Sequence, residues 1–168
     1  MDLYKLSGFS NRNTLGMKMH IQLRAGNSRD GKPVFEPVHV HPLENGKYRI
    51  EFTPGLAYGI AAGDEVDISD DGTYRVMSRA GNLAVRVLSK QSVCNLAPIL
   101  TAQVELLGGR LDGSVELGLA YTIPLTAGFA AVERVFNSFI VDYPAAVWEY
   151  GNVYSEDGSP LNWWLEIE

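Results

Sequence analysis

Val38-His39-Val40-His41-Pro42-Leu43-Glu44-Asn45-Gly46-Lys47-Tyr48-Arg49-Ile50-Glu51-Phe52-Thr53 decides the fold class of this chain. Up to Pro42 valine alternates with histidine, and after Lys47 the apolar residues Tyr48, Ile50 and Phe52 fall on one face, so both arms read as half-buried strands. Asn45-Gly46 supplies the backbone conformations that a tight hairpin turn demands. Outward from this hairpin the pattern repeats. Met17, Met19, Ile21 and Leu23 alternate with polar residues, and Asn27–Lys32 is a turn cluster leading into Val34–Val40. Glu65–Ile68, Thr73–Ser78 and Leu83–Leu88 follow, joined by Asp71-Gly72 and by Ala80-Gly81-Asn82. Short strands at this spacing imply a small antiparallel β-barrel or curled sheet. Inside the set, Gly55–Asp64 reads as a bend that carries Tyr58 into the core.

Past residue 89 the period changes. Leu96, Ile99, Leu100, Val104 and Leu107 recur at helical spacing, with Pro98 in the first turn and Gly108-Gly109 as the stop. Val115–Ile123 reads as an apolar strand ended by Pro124. Thr126 is placed to cap a second helix striped by Phe129, Val132, Val135, Phe136 and Phe139, which Pro144 closes. Ala145–Val153 and Leu161–Ile167 read as strands around the turn Glu156–Pro160. The expected fold class is therefore α+β: a β-rich subdomain over 1–88 and a ferredoxin-like α-β-α-β half over 89–168, in one compact unit. The expected joint is Ser89–Ser92.

The chain has 168 residues, 46% hydrophobic and 20% charged, as in ordinary globular proteins. One cysteine, Cys94, excludes an internal disulfide and points to a reducing compartment. The stretch Met1–Met19 has no apolar core of signal-peptide length, and no apolar run reaches a membrane span, so the expected location is the cytoplasm. Net charge is −6, unevenly spread. Residues 1–55 hold eight basic and five acidic side chains, net +3; residues 56–168 hold six basic and fifteen acidic, net −9. Such a field repels nucleic acid and attracts cationic proteins; it is also an ordinary device for solubility.

Few residues suggest chemistry. His39 and His41 share a strand face and could begin a metal site with His20 or a carboxylate, but no recognised ligand spacing accompanies them, and exposed strand histidines explain them as well. Cys94 lies near a helix start, where a thiol can be activated; the plain alternative is a small buried apolar side chain. The glycines of Gly55–Gly63 lack the Gly-Lys-Ser/Thr of a phosphate loop, and no Gly-x-Ser-x-Gly elbow occurs. No catalytic set, metal site or cofactor is expected. The dense acidic run Asp64, Glu65, Asp67, Asp70, Asp71 reads either as a solvated hairpin or as a face for a basic partner. Glu156, Asp157, Trp163 and Trp164 make a second acidic and aromatic cluster. If Leu161–Ile167 is a strand, the adjacent tryptophans point to opposite faces, so one is exposed unless both faces are covered.

Two blocks carry a resemblance: Tyr48-Arg49-Ile50 followed by Ala57-Tyr58-Gly59-Ile60-Ala61-Ala62-Gly63-Asp64-Glu65-Val66, and Ser78-Arg79-Ala80-Gly81-Asn82-Leu83-Ala84-Val85-Arg86-Val87. With Leu107-Gly108-Gly109-Arg110-Leu111-Asp112-Gly113 and Ile123-Pro124, they make the chain, over about residues 17–153, resemble the bacterial family called domain of unknown function 4265. The departures are Pro54-Gly55-Leu56, where a more aromatic approach is usual, and Ala84, where a hydroxyl residue is common. The blocks look like fold determinants and bring no catalytic set. Proteins of this kind resemble immunity proteins encoded beside secreted toxins, one of them similar to the protector against a type VI-delivered DNase. The resemblance implies a cognate toxin domain, basic and a nuclease, as partner. The expected contacts are Asp64, Asp67, Asp70, Asp71, Glu156, Asp157, Trp163 and Trp164. A small-molecule-binding or enzymatic domain, with a pocket between the two halves, is the alternative. A nucleic-acid binder using the +3 N-terminal part is disfavoured for want of a basic stripe with interleaved aromatics.

Overall fold

The computed structural model describes residues 19–167; residues 1–18, with the expected strand residue Met17 among them, and residue 168 lie outside these. Two antiparallel sheets and two helices make a mixed α+β fold. The first sheet is a meander of β1 (Met19–Asn27), β2 (Pro33–Pro42), β3 (Tyr48–Ile50), β4 (Glu65–Ile68) and β5 (Tyr74–Ser78), in that spatial order. The opening hairpin is present, with His41 opposite Arg49 and Pro42 opposite Tyr48. The inward residues Leu23, Val38, Val40, Ile50 and Val66 form one core.

The sheet curls but does not close into a barrel. Its ends approach where the Arg24 N–H donates to the Gly72 carbonyl at 2.9 Å, yet β1 and β5 share no ladder. Ala57 and Ile60, from the long β3–β4 connection, pack into the core. Tyr58 does not follow them: it is 47% exposed, because a neighbouring strand offers its ring a cation.

The second sheet holds β6 (Asn82–Ser89), β7 (Arg110–Val115), β8 (Gly118–Pro124) and β9 (Ala146–Tyr150), ordered β7-β8-β6-β9. Helix α1 (Ala97–Leu106) connects β6 to β7, and α2 (Phe129–Asp142) connects β8 to β9. Leu83, Val85 and Val87 of β6 pack with Tyr121, Ile123, Leu100, Val104, Val132 and Phe136 in a second core. The apolar strand expected to end the first set is thus central to the second sheet, and the chain changes sheets near Arg79–Gly81 rather than at Ser89–Ser92.

Other expectations shift for local reasons. The strand expected over Val115–Ile123 is two: Arg110–Val115 forms an edge strand whose Leu111–Gly113 irregularity accommodates Asp112. Glu116-Leu117 is the hairpin turn before β8. Thr126 does not cap α2; it sits in a 3-10 turn, Leu125–Ala127, and Gly128 at φ 81° precedes the helix. Leu161–Ile167 is not a strand. Asn162 takes a left-handed φ of 57°, and Trp163–Leu165 turn as a 3-10 helix.

Candidate functional site

The two sheets meet through one segment. Residues of β6 alternate faces: Leu83, Val85 and Val87 look toward the helices, while Ala84 and Arg86 look the other way, where the β3–β4 connection lies across them. This connection has no ladder of its own, so its polar backbone must be satisfied by other means. The Glu36 carboxylate of β2 accepts the N–H groups of Gly55 at 2.6 Å, Leu56 at 2.9 Å and Ala57 at 2.7 Å. The Tyr74 hydroxyl donates to the Tyr58 carbonyl at 2.6 Å, Arg79 donates to the Gly59 carbonyl at 2.6 Å, and the Gly59 N–H donates to the Gly151 carbonyl at 2.7 Å.

Arg86 is the centre of this seam. Its side chain is 2% exposed and pairs with Glu149 of β9 at 3.3 Å. It also donates to the carbonyls of Gly55 at 3.0 Å and Ala57 at 3.4 Å, and the Tyr58 ring lies 4.0 Å from the guanidinium. The Tyr58 hydroxyl donates to Glu149 at 2.8 Å. Burial, then the adjacent Glu149 carboxylate, raises the Tyr58 hydroxyl above its ordinary pKa, so the phenol stays a donor. Gly151 lets the backbone come close here: a Cβ would stand 3.1 Å from the Ala84 Cβ and 3.2 Å from Arg86 Nε, so either neighbour would have to shift by a few tenths of an ångström.

A second polar cluster closes the other end. Asp112 accepts the Thr53 N–H at 2.7 Å and the Thr122 hydroxyl, and pairs with Arg110 at 2.7 Å. Thr53 and Thr122 hydroxyls lie 2.7 Å apart, and the Ala62 N–H donates to Thr53 Oγ1 at 3.1 Å. Below these clusters the helix-free face of the second sheet is uncovered. Between it and the Glu36–His39 and Phe52–Leu56 walls opens a cleft of about 540 Å³. The seam was missed in the sequence, although Tyr58, Asp64, Arg79 and Arg86 all lie in the two blocks that carry the family resemblance.

The eight expected contacts fall in different places. Asp64 is 0% exposed and accepts N–H bonds from Ala61 and Ala80, both at 3.0 Å, and from Arg79 at 3.1 Å. Burial raises its carboxyl above the ordinary range against those donors, and Asp64 offers a partner no surface. Asp67 is bracketed by Lys47 at 3.9 Å and Arg75 at 3.7 Å. Asp70 and Asp71 are exposed in the β4–β5 turn. Asp71 also shapes that turn by accepting the Thr73 hydroxyl and N–H, the hydroxyl first among the causes that lower its pKa.

Glu156 and Asp157 are exposed on the hairpin closed by the Tyr154–Pro160 bridge. Ser155 and Ser159 hydroxyls hold the Asp157 carboxyl down at about 2. Trp163 is buried, donating to the Asn152 carbonyl at 2.6 Å; Trp164 is half-buried with its ring 5.3 Å from Phe129. The tryptophans differ because the 3-10 turn, not strand alternation, sets their directions. Glu133 of α2, not anticipated, joins this surface: burial first, then its charge, raises the Tyr150 hydroxyl.

His20 and His39 face each other across β1 and β2, with Nε2 atoms 2.9 Å apart, and His39 lines the cleft. His41 sits on the β3 side opposite Arg49. Among the described residues no group of three or more His, Cys, Asp or Glu could hold a metal ion. Cys94 is exposed rather than a buried apolar filler. No described helix is long and apolar enough to cross a membrane.

Comparison with known proteins accords with this anatomy. A solved structure described as a "Novel crystal structure of a hypothetical protein from Neisseria gonorrhoeae" is similar at a TM-score of 0.64 and 14% identity. The similarity covers 80% of this chain and 94% of that one, and at this identity it speaks for the fold alone. Comparison with curated proteins gives no match. Residues 36–143 match the family described as Domain of unknown function (DUF4265), a span that includes the seam residues from Glu36 through Arg86 to Thr122 but not Glu149 and Gly151, and the chain belongs to that family.

Proposed function

We propose that this chain is an immunity protein that binds a cognate toxin domain, a basic nuclease delivered by type VI secretion or by cell contact. It acts in the cytoplasm by blocking the toxin's active site or substrate groove, without turning over a substrate itself. One observation carries the reading. Asp142, Glu156, Asp157 and Glu166 are exposed with no ion pair among the described residues, and no lysine or arginine follows Arg134. Exposed Tyr154, Leu161 and Leu165 neighbour Glu156, Asp157 and Glu166 along the chain. Nucleases hold phosphates in cationic grooves. Unneutralised carboxylates beside apolar surface can occupy such a groove and speed encounter. The buried ionisable groups at the seam support binding over chemistry, because Asp64 and Asp112 are spent on backbone groups and ion pairs and Arg86 turns its Nη1 to carbonyls and its Nη2 to Glu149, leaving only its buried Nε unbonded.

The second half is, in this reading, a ferredoxin-like unit. Its support is the chain order β6-α1-β7-β8-α2-β9 with spatial order β7-β8-β6-β9, all neighbours antiparallel. A second functional reading, a small-molecule-binding or enzymatic domain, draws on the cleft between the sheets.

The test is co-expression with the toxin encoded beside this gene. The expected result is restored growth and a complex that survives purification. Growth arrest despite abundant folded protein, with no complex, overturns the reading.

A further inference from the structure

The cleft has a lining whose chemistry selects an occupant. Phe52, Leu56, Leu88, Val115 and Leu117 all line it, and they are 36%, 49%, 42%, 69% and 47% exposed. Single exposed apolar side chains are ordinary; five around one concavity are not. The volume of about 540 Å³ is that of a site able to seat a small ligand or an anchoring peptide segment. It stays open because the floor is small: Gly118 and Ala120 on β8, with Gly113 beside them on β7.

Charge narrows the choice. No lysine or arginine lines the cleft. Its ionisable groups are Glu36, which takes only backbone N–H donors, Asp112, which faces Arg110, and His39, whose Nε2 meets that of His20. Glu116 is exposed at the rim, in the turn between Val115 and Leu117, with no ion pair among the described residues. An apolar wall edged by Glu36 and Glu116, whose charges no lysine or arginine among the described residues pairs, favours an apolar body flanked by positive charge and opposes an anionic one. Building on the reading that the chain binds a basic protein, we propose that this cleft receives an extended apolar segment of that partner, flanked by lysine or arginine. The acidic C-terminal surface then steers the encounter, and the cleft supplies the anchor.

The test uses the full chain, isotopically labelled, and two short peptides. Both share a valine–phenylalanine–leucine centre; one carries lysines at its ends, the other glutamates. Backbone resonances of Leu56, Leu88, Val115 and Leu117 are followed during titration. The expected result is saturable shifts at these residues, with the glutamate peptide binding roughly tenfold or more weakly. Gly113→Val should abolish them by filling the floor. A Cβ at Gly113 comes no closer than 3.8 Å, to Ala120, so this variant is expected to fold. Leu117→Lys, on the exposed rim, is the second variant and should weaken the lysine peptide. Equal binding of both peptides, binding that survives Gly113→Val in a folded protein, no binding at all, or shifts produced by raising the protein concentration alone each overturn the proposal. Failure of the toxin test with peptide binding intact retires only the immunity reading; protection without peptide binding retires only the cleft.

Discussion

Removing the Arg86 guanidinium should loosen the seam between the sheets, and its size can be worked from the contacts. Arg86→Met keeps the apolar stem but removes an ion pair to Glu149 at 3.3 Å, a carbonyl bond at 3.0 Å, a weaker one at 3.4 Å and a ring contact at 4.0 Å. One charge-assisted carbonyl bond is worth about 1.5–3 kcal/mol, and a cation–π contact with the half-exposed Tyr58 ring about 0.5–1 kcal/mol. Glu149 is 37% exposed, so solvent screens the ion pair, and its share is about 1 kcal/mol at most. Against these stands the cost of burying a guanidinium, several kcal/mol, which methionine recovers. Stranding one partner of a buried pair costs about 3–5 kcal/mol. The low end applies here because water reaches Glu149, giving a loss of about 3 kcal/mol. Urea unfolding followed by tryptophan fluorescence measures it. Pairing Arg86→Met with Glu149→Gln in a double-mutant cycle should leave a coupling of about 1 kcal/mol. A loss below about 0.5 kcal/mol for Arg86→Met would refute the claim that Arg86 holds the β3–β4 connection on the second sheet.

Asp64→Asn, which keeps one acceptor oxygen, should cost about 2 kcal/mol. Because burial raises the folded-state pKa above 3.8, the folded protein holds this proton more tightly than the unfolded chain. The contribution of Asp64 is therefore greatest below pH 3.8 and declines as pH rises through the folded value; unfolding of both proteins from pH 3 to 7 should show wild type's margin shrinking upward. Asp157 behaves oppositely: with its carboxyl held at about 2, the turn bonds form above the ordinary carboxylate pKa and are lost as pH falls toward 2, visible as Ser155 and Ser159 amide shifts. Gly109→Ala should cost about 2 kcal/mol or more, since its Cβ would meet Val104 Cγ1 at 2.7 Å and the Thr122 carbonyl at 2.8 Å; thermal unfolding reads the loss. Asp70→Lys with Glu156→Lys, both exposed and neither shaping a turn, should slow association with the toxin roughly tenfold and flatten its salt dependence, measured by stopped flow. An unchanged rate removes both surfaces from the encounter.

Local pattern determined much of this protein. Alternation through Val38–Thr53, with Asn45-Gly46 between the arms, was enough for the hairpin. The periodic stripes of Leu96–Leu107 and Phe129–Phe139 were enough for the two helices, because a helix buries one face whatever it packs against. The glycine-rich blocks sufficed for the family. What tertiary structure decided are the pairings between distant residues. Leu83–Leu88 is apolar at every position but Arg86, a pattern that fits any central strand, so its sheet was settled only by the ladder to β8 and β9. Asp64 counted as an exposed acid until Ala80 and Arg79 came round to meet it. Nothing in the sequence around Arg86 marks it as a buried cation; its place was decided by Gly55, Tyr58 and Glu149, each remote in the chain. A cleft is more remote still from sequence, for it is a space left where two sheets meet, and no single residue encodes it.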